Sequence, residues 1–380
     1  MTDARWVGTW TTTPALAEGV ALAGPTIRMF PRTSIGGEKL RIRLSNAAGN
    51  GDLMITSVRV GVRGGAASVK AGTDRAVTFS GGSRSVKIPA GAFVISDPVA
   101  FIVPPLTDLS VSVYVPRVVP ASFGVTGRYA RQIHYLSPAG DFTGHEVMNV
   151  SKVTDDWLFL CGMDVQVSGA AGGVVAFGDS LTSGSTSSHD SHNRYTDQLA
   201  RRLAQRGGRP YGVMNQGLGG NRLLHDGAGQ SGIGRFERDV LGQPGVTHVI
   251  VSLGLNDIRN RRNNKDEFVT PDEMKAGLTQ LAVRARDRGI KIFGATITPC
   301  EGEVASTGAS PADVEASRLD VNDWLRTGKV FDGIVDFDAA LRDPDRPSRL
   351  LATFDSGDHL HPNDAGYKRM ADAIELSLFD

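Results

Sequence analysis

The 380-residue sequence has only two cysteines, Cys161 and Cys300, so a disulfide framework is excluded and whether these two form one bridge stays open. Positive charge is not in excess, because 41 Lys and Arg residues balance 41 Asp and Glu residues. Nucleic acid is therefore not expected as a partner, since its phosphates attract net positive charge. No apolar run approaches the roughly 18 residues of a membrane-spanning helix, so no membrane span is predicted.

The first ten residues, MTDARWVGTW, contain no apolar segment of the kind that a secretory signal requires. The sequence as written therefore predicts a cytoplasmic protein. Secretion would be expected instead if Met1 replaces a signal that has been removed. The oligomeric state is open at this stage.

Hydrophobic residues make up 40% of the chain, which is typical of a globular protein. The two parts of the chain differ in the periodicity of these residues. From residue 6 to about residue 167 the sequence alternates polar and apolar residues, as in 39–44 (KLRIRL) and 108–113 (DLSVSV). Gly-Gly and Pro-Pro pairs interrupt these segments at short intervals. Residues 1–168 are predicted to form an all-β domain, a sandwich or jelly-roll-like fold.

Residues 169–380 alternate buried strands with amphipathic helices, which predicts a mostly parallel sheet covered by helices on both faces. Thr270 is predicted to cap one of these helices and Gly289 to end it. The predicted strands are Val174–Phe177, Val213–Asn215, Val246–Leu253, Lys291–Thr298 and Gly333–Phe337; the predicted helices are Tyr195–Arg206, Pro271–Arg288, Pro311–Thr327 and one that begins near Asp364.

Four short segments lie where chemistry could converge: three follow predicted strands and one precedes the last helix. They are FGDSLTSG at 177–184, NQGLGGN at 215–221, LGLND at 253–257 and DHLHP at 358–362. Sheets of this kind place their sites at the carboxyl ends of the strands. Taken singly, each segment also fits a plain turn, a helix cap or a surface loop. Their occurrence together, in this order, favours one shared site.

The residue types in these segments suit nucleophilic catalysis. The hydroxyl of Ser180 becomes a good nucleophile once a base removes its proton, and histidine is the usual base. His361 is the expected base, and Asp358 can orient its ring from three residues away. His359 is the alternative base, although alternation along the loop turns it the other way.

An acyl-transfer site also needs donors that stabilise the negatively charged oxygen of the tetrahedral intermediate. Gly220 can offer a backbone N–H without an obstructing side chain. Asn256 can offer its side-chain amide, and Ser180 its own backbone N–H.

Other motifs are matched poorly. Arg222 stands where a dinucleotide fingerprint needs its third glycine, no P-loop is present, and Thr182 stands where the nucleophile elbow of α/β-hydrolases needs glycine. A metal site at His189 and His192 is the alternative to an exposed loop beside the site. The charged cluster Arg259–Lys265 is expected to be an exposed loop, with substrate contact as the alternative.

The four segments resemble the conserved blocks of the SGNH/GDSL hydrolases, over roughly residues 173–380. This resemblance implies a flavodoxin-like α/β/α core, with Ser180 as nucleophile, His361 as general base and acid, and Asp358 as its partner. It implies an oxyanion hole from Ser180, Gly220 and Asn256, with Asp179 in a supporting role. More loosely, WVGTWTTTP at 6–14 and RTSIGG at 32–37 resemble two-domain bacterial members that carry an N-terminal β-domain.

The resemblance further implies a serine esterase without metal or organic cofactor, acting on short-chain acyl or acetyl esters that are small molecules or part of a glycan. One position departs from it, because Cys300 lies where such relatives are expected to have an aromatic residue. An acyltransferase that uses the same site, and a non-catalytic glycan-binding protein, are the alternatives.

Overall fold

The computed structural model describes residues 4–15, 21–120, 127, 130–259, 267–303 and 309–380. The chain divides into two compact units. The first comprises Met1–Ala171 with Ala204–Met214, and the second comprises Gly172–Leu203 with Asn215–Asp380. The domain boundary predicted at residues 168 and 169 remains a prediction.

The first unit has many short strands, and its larger sheets are antiparallel. One sheet has the order β1-β16-β4-β10, with β11 also on β4, and a second has the order β15-β14-β3-β12-β6-β7, with β8 also on β6. The strands are Arg5–Thr11 (β1), Leu22–Ala23 (β2), Pro25–Met29 (β3), Gly37–Ser45 (β4), Leu53–Ile55 (β5), Ser57–Gly65 (β6), Ser68–Val69 (β7), Arg75–Val77 (β8), Val86–Ile88 (β9), Phe93–Ile95 (β10), Val99–Val103 (β11), Leu109–Tyr114 (β12), Val118–Val119 (β13), His134–Ala139 (β14), Lys152–Thr154 (β15) and Leu160–Val167 (β16).

The alternation in β4 has a clear structural origin. Leu40, Ile42 and Leu44 are fully buried, as their period of two predicts. Arg43, on the opposite face, is also buried, because its guanidinium lies 3.2 Å from the carboxylate of Asp164 on the neighbouring strand. A buried ion pair therefore replaces solvent on that face.

The α/β part of the chain, Gly172–Asp380, comprises the second unit together with Ala204–Met214, which the division assigns to the first unit. Its sheet has the order β18-β17-β19-β20-β21, and the pairs β17–β19, β19–β20 and β20–β21 are parallel. The strands are Gly172–Gly178 (β17), Tyr211–Gly217 (β18), Val246–Ser252 (β19), Lys291–Ala295 (β20) and Gly333–Val335 (β21); the α-helices are Ser180–Ser183 (α1), Tyr195–Arg206 (α2), Gly232–Phe236 (α3), Leu255–Arg259 (α4), Pro271–Arg286 (α5), Pro311–Thr327 (α6), Phe337–Leu341 (α7) and Asp364–Asp372 (α8), with a π-helical turn at Glu237–Leu241 and a 3₁₀ turn at Leu376–Phe379.

The long helices begin where the sequence predicts. Helices α2 and α6 have the predicted bounds. Thr270 caps α5 in a capping box, because its hydroxyl accepts the Glu273 N–H while the Glu273 carboxylate accepts the Thr270 N–H. The helix ends at Arg286, and Gly289 follows with a φ of 68°. Among the described residues, no helix combines the length and apolarity needed to cross a bilayer.

Strand β19 ends one residue earlier than predicted, and β20 and β21 end two or three residues earlier, because side chains take over the backbone hydrogen bonds there. Strand β20 ends at Ala295, and beyond it the N–H of Ile297 donates to Oδ1 of Asn322 at 2.7 Å. Strand β21 ends at Val335, because Asp336 caps the N-terminus of α7, a helix that the sequence analysis did not predict.

Candidate active site

Ser180 lies at the first position of α1, directly after the buried strand β17. Asp179 is the N-cap of this helix, and its Oδ1 accepts the Leu181 N–H at 3.0 Å. Gly178 allows the tight passage from strand to helix. A Cβ there would lie 2.0 Å from Oγ1 of Thr182 and 2.7 Å from the Ser252 carbonyl oxygen, so no larger residue fits.

His361 and Asp358 meet Ser180 in a continuous hydrogen-bonded series. Nε2 of His361 lies 2.8 Å from Oγ of Ser180, and its Nδ1 lies 2.6 Å from Oδ2 of Asp358. The other carboxylate oxygen of Asp358 accepts the backbone N–H groups of His361 at 2.8 Å and Leu360 at 3.0 Å. The carboxylate thus orients the imidazole through both its ring and its backbone, which leaves Nε2 directed at the serine.

Residues that follow Ser180 and His361 tie the two loops together across about 180 positions of sequence. The hydroxyl of Thr186 donates to the carbonyl oxygen of Pro362 at 2.6 Å. The carboxylate of Asp364 accepts the Ser188 N–H at 2.8 Å and the Asn193 side-chain amide at 2.9 Å. The Ser–His distance is therefore supported by contacts outside the series itself.

His359 belongs to a separate Asp–His pair. Its Nδ1 lies 2.6 Å from Oδ2 of Asp355, and its side chain is 49% exposed. Its φ is 60°, an uncommon value for a residue other than glycine. The structure brings His361, and not His359, into hydrogen-bond contact with Ser180.

The backbone N–H groups of Ser180 and Gly220 have no acceptor within the part of the chain that the structure describes. Gly220 has a φ of 72°, which L-residues with side chains rarely adopt. Both groups are therefore free to bind a negatively charged oxygen.

Asn256 lies on α4 and is almost fully buried. Its Nδ2 donates to the carbonyl oxygen of Asn221 at 3.0 Å and, at the longer distance of 3.4 Å, to Oδ2 of Asp179. Its Oδ1 accepts from Arg259 at 3.2 Å. The side chain thus connects Asp179, directly before Ser180, with Asn221, directly after Gly220.

The carboxylate of Asp257 shapes the loop that follows Gly220, a role that the sequence analysis missed. Its two oxygens accept the N–H groups of Leu223 at 2.7 Å and Leu224 at 3.1 Å. Burial raises the pKa of Asp257, although these N–H groups act in the opposite direction. Its position beside Asn256 in LGLND was the one available signal in the sequence.

Arg235, which the sequence analysis also missed, connects three segments of the site through hydrogen bonds. Its fully buried guanidinium donates to the carbonyl oxygens of Gly178 at 2.8 Å and Gln216 at 3.0 Å, and to Oδ1 of Asn221 at 2.9 Å. Its charge is compensated by Asp239 at 3.0 Å. Nothing in the local sequence distinguishes this arginine, because all these partners except Asp239 are at least 14 residues away.

The pKa values of Asp179 and Asp358 are shifted in opposite directions. Burial raises the pKa of Asp179 to about 7, even though the Leu181 N–H and the charge of Arg259 favour its ionised form. Burial also acts to raise the pKa of Asp358, but hydrogen bonds from His361 and Leu360 outweigh it, and the pKa lies below its ordinary value. Asp358 is therefore a carboxylate at neutral pH.

The remaining candidates from the sequence lie elsewhere or outside the described residues. Within the described part of the chain, no three His, Cys, Asp or Glu side chains cluster as a metal site would. Of the charged cluster Arg259–Lys265, only Arg259 is described, and it is buried; residues 260–266 lie outside the described ranges. Both cysteines are free thiols, and burial raises the pKa of Cys300 to about 11, so its thiol stays protonated at neutral pH.

Comparison with known families assigns this half of the molecule. The model of the GDSL-like lipase/acylhydrolase family matches residues 176–369, just over half of the chain. The chain belongs to the GDSL-like lipase/acylhydrolase family. It is accordingly an ester hydrolase, and a catalytic triad with an oxyanion hole is general to this family. A comparison with curated protein sequences finds no significant match.

Solved structures similar to this GDSL-family chain include two esterases and a lipase/acylhydrolase. A carbohydrate acetylesterase from Sinorhizobium meliloti is 18% identical over 53% of this chain and 95% of its own, with a TM-score of 0.41. The aryl esterase of M. smegmatis is 18% identical over 53% and 96%, with a TM-score of 0.42. A lipase/acylhydrolase from Enterococcus faecalis is 19% identical over 53% and 92%, with a TM-score of 0.41. At this level of similarity the comparisons say nothing of the substrate.

Proposed function

We propose that this ester hydrolase is a serine esterase that forms an acyl-enzyme on Ser180, with His361 as general base and acid and Asp358 as its orienting partner. The observation that carries the proposal is the 2.8 Å distance from Ser180 Oγ to His361 Nε2, together with the 2.6 Å distance from His361 Nδ1 to Asp358. These are the contacts that proton transfer from a serine to an oriented imidazole requires.

In the first half of the reaction, Oγ of Ser180 attacks the ester carbonyl carbon as its proton passes to Nε2 of His361. The imidazolium that forms is stabilised by the Asp358 carboxylate, whose lowered pKa keeps it ionised. The tetrahedral intermediate collapses, and His361 gives the proton to the departing alkoxide, which leaves as an alcohol. The acyl group remains on Ser180.

In the second half, water attacks the acyl carbon and gives a proton to His361. Collapse of the second tetrahedral intermediate expels Oγ of Ser180, which recovers the proton, and the carboxylic acid leaves. The proposed oxyanion donors are the N–H groups of Ser180 and Gly220 and Nδ2 of Asn256. The two N–H groups have no other acceptor among the described residues, which supports this role.

The substrates that we propose are short-chain acyl or acetyl esters, either of small molecules or of carbohydrates. Segments 182–188 (TSGSTSS) and 356–359 (SGDH), which flank Ser180 and His361, are made of polar residues and glycine. A long acyl chain gains its affinity from burial in an apolar groove, and polar flanking segments favour a small acyl group instead.

At the level of architecture, we propose that residues 169–380 form a three-layer, flavodoxin-like catalytic domain. The sheet order, which in the numbering of this domain is 2-1-3-4-5, supports that assignment. We propose likewise that residues 1–168 form an accessory β-sandwich. The antiparallel sheets of the first unit favour it.

A serine-directed fluorophosphonate probe tests the proposal, combined with hydrolysis of p-nitrophenyl acetate. The wild-type protein should be labelled on the peptide that contains Ser180, and Ser180→Ala should lose both labelling and turnover. Ser188→Ala is the matched control, because this exposed serine lies in the segment that follows α1 and bonds to Asp364 through its backbone N–H, which alanine keeps. It should behave as the wild type.

The same assay separates the alternatives. Undiminished turnover by Ser180→Ala would show that another nucleophile operates. An unlabelled, inactive wild-type protein would point to a glycan-binding protein. Added alcohols that divert most of the acyl group into new esters, at the expense of acid release, would identify an acyltransferase.

A further inference from the structure

We infer that Arg259 and Glu303 form a positioning pair, whose task is to hold the side-chain amide of Asn256 in the one orientation that can stabilise an oxyanion. The inference rests on the proposed function, since it concerns the donor that Asn256 supplies there. Neither side chain is proposed to touch the substrate, and both act through Asn256.

The contacts are direct and shielded from solvent. Asn256 and Arg259 lie three residues apart on α4, so their side chains share one face of this short helix. Nη1 of Arg259 donates to Oδ1 of Asn256 at 3.2 Å, and Nη2 forms an ion pair with Oε2 of Glu303. The side chains of Arg259 and Glu303 are only 9% and 15% exposed.

Orientation matters because a carboxamide has two nearly isosteric ends of opposite function. With Nδ2 towards the reacting carbonyl, Asn256 donates to the oxyanion; after a half-turn about χ2, Oδ1 would face it and repel it. A guanidinium can only donate hydrogen bonds. Arg259 can therefore bond to the acceptor Oδ1 of Asn256 and not to its donor Nδ2. The positive charge also polarises the amide, which strengthens its N–H groups as donors.

The acceptors on the opposite end agree with this orientation. Nδ2 of Asn256 faces the Asn221 carbonyl oxygen at 3.0 Å and Oδ2 of Asp179 at 3.4 Å. The hydrogen bond from Asn256 to Asp179 is long and weak. The N–H of Nδ2 that points to Asp179 can therefore be redirected to a substrate oxyanion with little loss of hydrogen-bond energy. The contact with Arg259 remains unchanged while this happens.

Glu303 is itself fixed by the turn that carries it. Its N–H donates to the Cys300 carbonyl oxygen at 3.3 Å, and the neighbouring Glu301 is anchored through its N–H to Ser348 at 3.0 Å and through its carboxylate to Arg349 at 2.9 Å. A fixed carboxylate compensates the buried charge of Arg259 and restricts the guanidinium to one rotamer. The turn after β20 is thereby linked to the oxyanion donor.

A double-mutant cycle tests the inference, with kcat and KM measured on p-nitrophenyl acetate and thermal unfolding followed for each variant. Arg259→Met should lower kcat by about 10–100-fold, a part of the value of one oxyanion donor, with little change in KM. In the Asn256→Ala background the same change should lower kcat by less than about threefold, because the group through which Arg259 acts is gone. Glu303→Gln should give an intermediate loss, and Arg259→Lys should recover part of the kcat.

Arg288→Met is the matched control, because Arg288 makes a comparable but exposed ion pair with Glu237 at 3.1 Å. Its kcat should equal that of the wild type. Should Arg259→Met fail to fold, Arg259→Lys and Glu303→Gln carry the cycle instead.

The inference would be overturned if Arg259→Met lowered kcat by the same factor in the wild-type and Asn256→Ala backgrounds. It would also be overturned if Arg259→Met left the wild-type kcat unaltered. Failure of the proposed function looks different. In that case Ser180→Ala keeps its activity, whereas a wrong positioning pair leaves the serine chemistry intact.

Discussion

The burial of Asp179 leads to a quantitative prediction of how the free energy of unfolding depends on pH. Its carboxyl is 1% exposed, and burial raises its pKa from 3.8 to about 7. In the unfolded chain the proton leaves near pH 3.8, whereas the folded chain retains it to about pH 7. Between these values the unfolded state binds fewer protons, so this group lowers the free energy of unfolding as the pH rises; above about pH 7 the cost is constant.

The size of the cost follows from the two pKa values. A difference of about three pH units at about 1.36 kcal/mol per unit gives about 4 kcal/mol above pH 7. Asp179→Asn removes the titration but keeps an oxygen that can cap α1. The free energy of unfolding of the variant minus that of the wild type should therefore rise by about 3 kcal/mol between pH 5 and pH 8.

Urea unfolding followed by circular dichroism at 222 nm measures this difference, because the described α-helices begin at Ser180 or later. Pairs of wild type and variant are compared at each pH, so that titrating groups without electrostatic coupling to Asp179 contribute equally to both. A difference that stays constant from pH 5 to pH 8, or falls as the pH rises, would refute the reasoning about the burial of Asp179.

Three further predictions concern the site. Asn256→Ala should lower kcat by about 10²–10³-fold, the scale for one oxyanion donor, and a change confined to KM would argue against that role. His361→Ala should lower kcat by at least about 10⁴-fold, whereas His359→Ala, which removes a half-exposed ring, should leave kcat near the wild-type value; the reverse result would exchange the two histidines. Arg235→Met should lower the free energy of unfolding in urea by about 3–5 kcal/mol, because buried carbonyl oxygens and Asp239 lose their partner, and an unchanged midpoint would contradict this.

Much of the second unit could be predicted from the sequence, because its elements follow local rules. Helix α5 begins at Pro271 because Thr270 caps it through bonds within four residues, and α2 and α6 have the bounds that the sequence predicts. One error has a distant cause, because Asn322 captures the backbone after β20 from 25 residues away. The other is a local signal that was overlooked, because Asp336 caps a helix where a strand was expected to continue.

For the site, the order of the four segments, three of them at strand ends of one sheet, predicts that their side chains lie together. The sequence by itself thus predicted the set Ser180, Gly220, Asn256 and His361, of which Ser180 and His361 are in hydrogen-bond contact. Tertiary structure alone decided the roles of Arg235 and Arg259, and the burial that raises the pKa of Asp179. The physical reason is that burial and long-range hydrogen bonds are properties of the packed chain. Each arginine looks locally like any other until distant partners fold around it, such as Gly178, 57 residues from Arg235, and Glu303, 44 residues from Arg259.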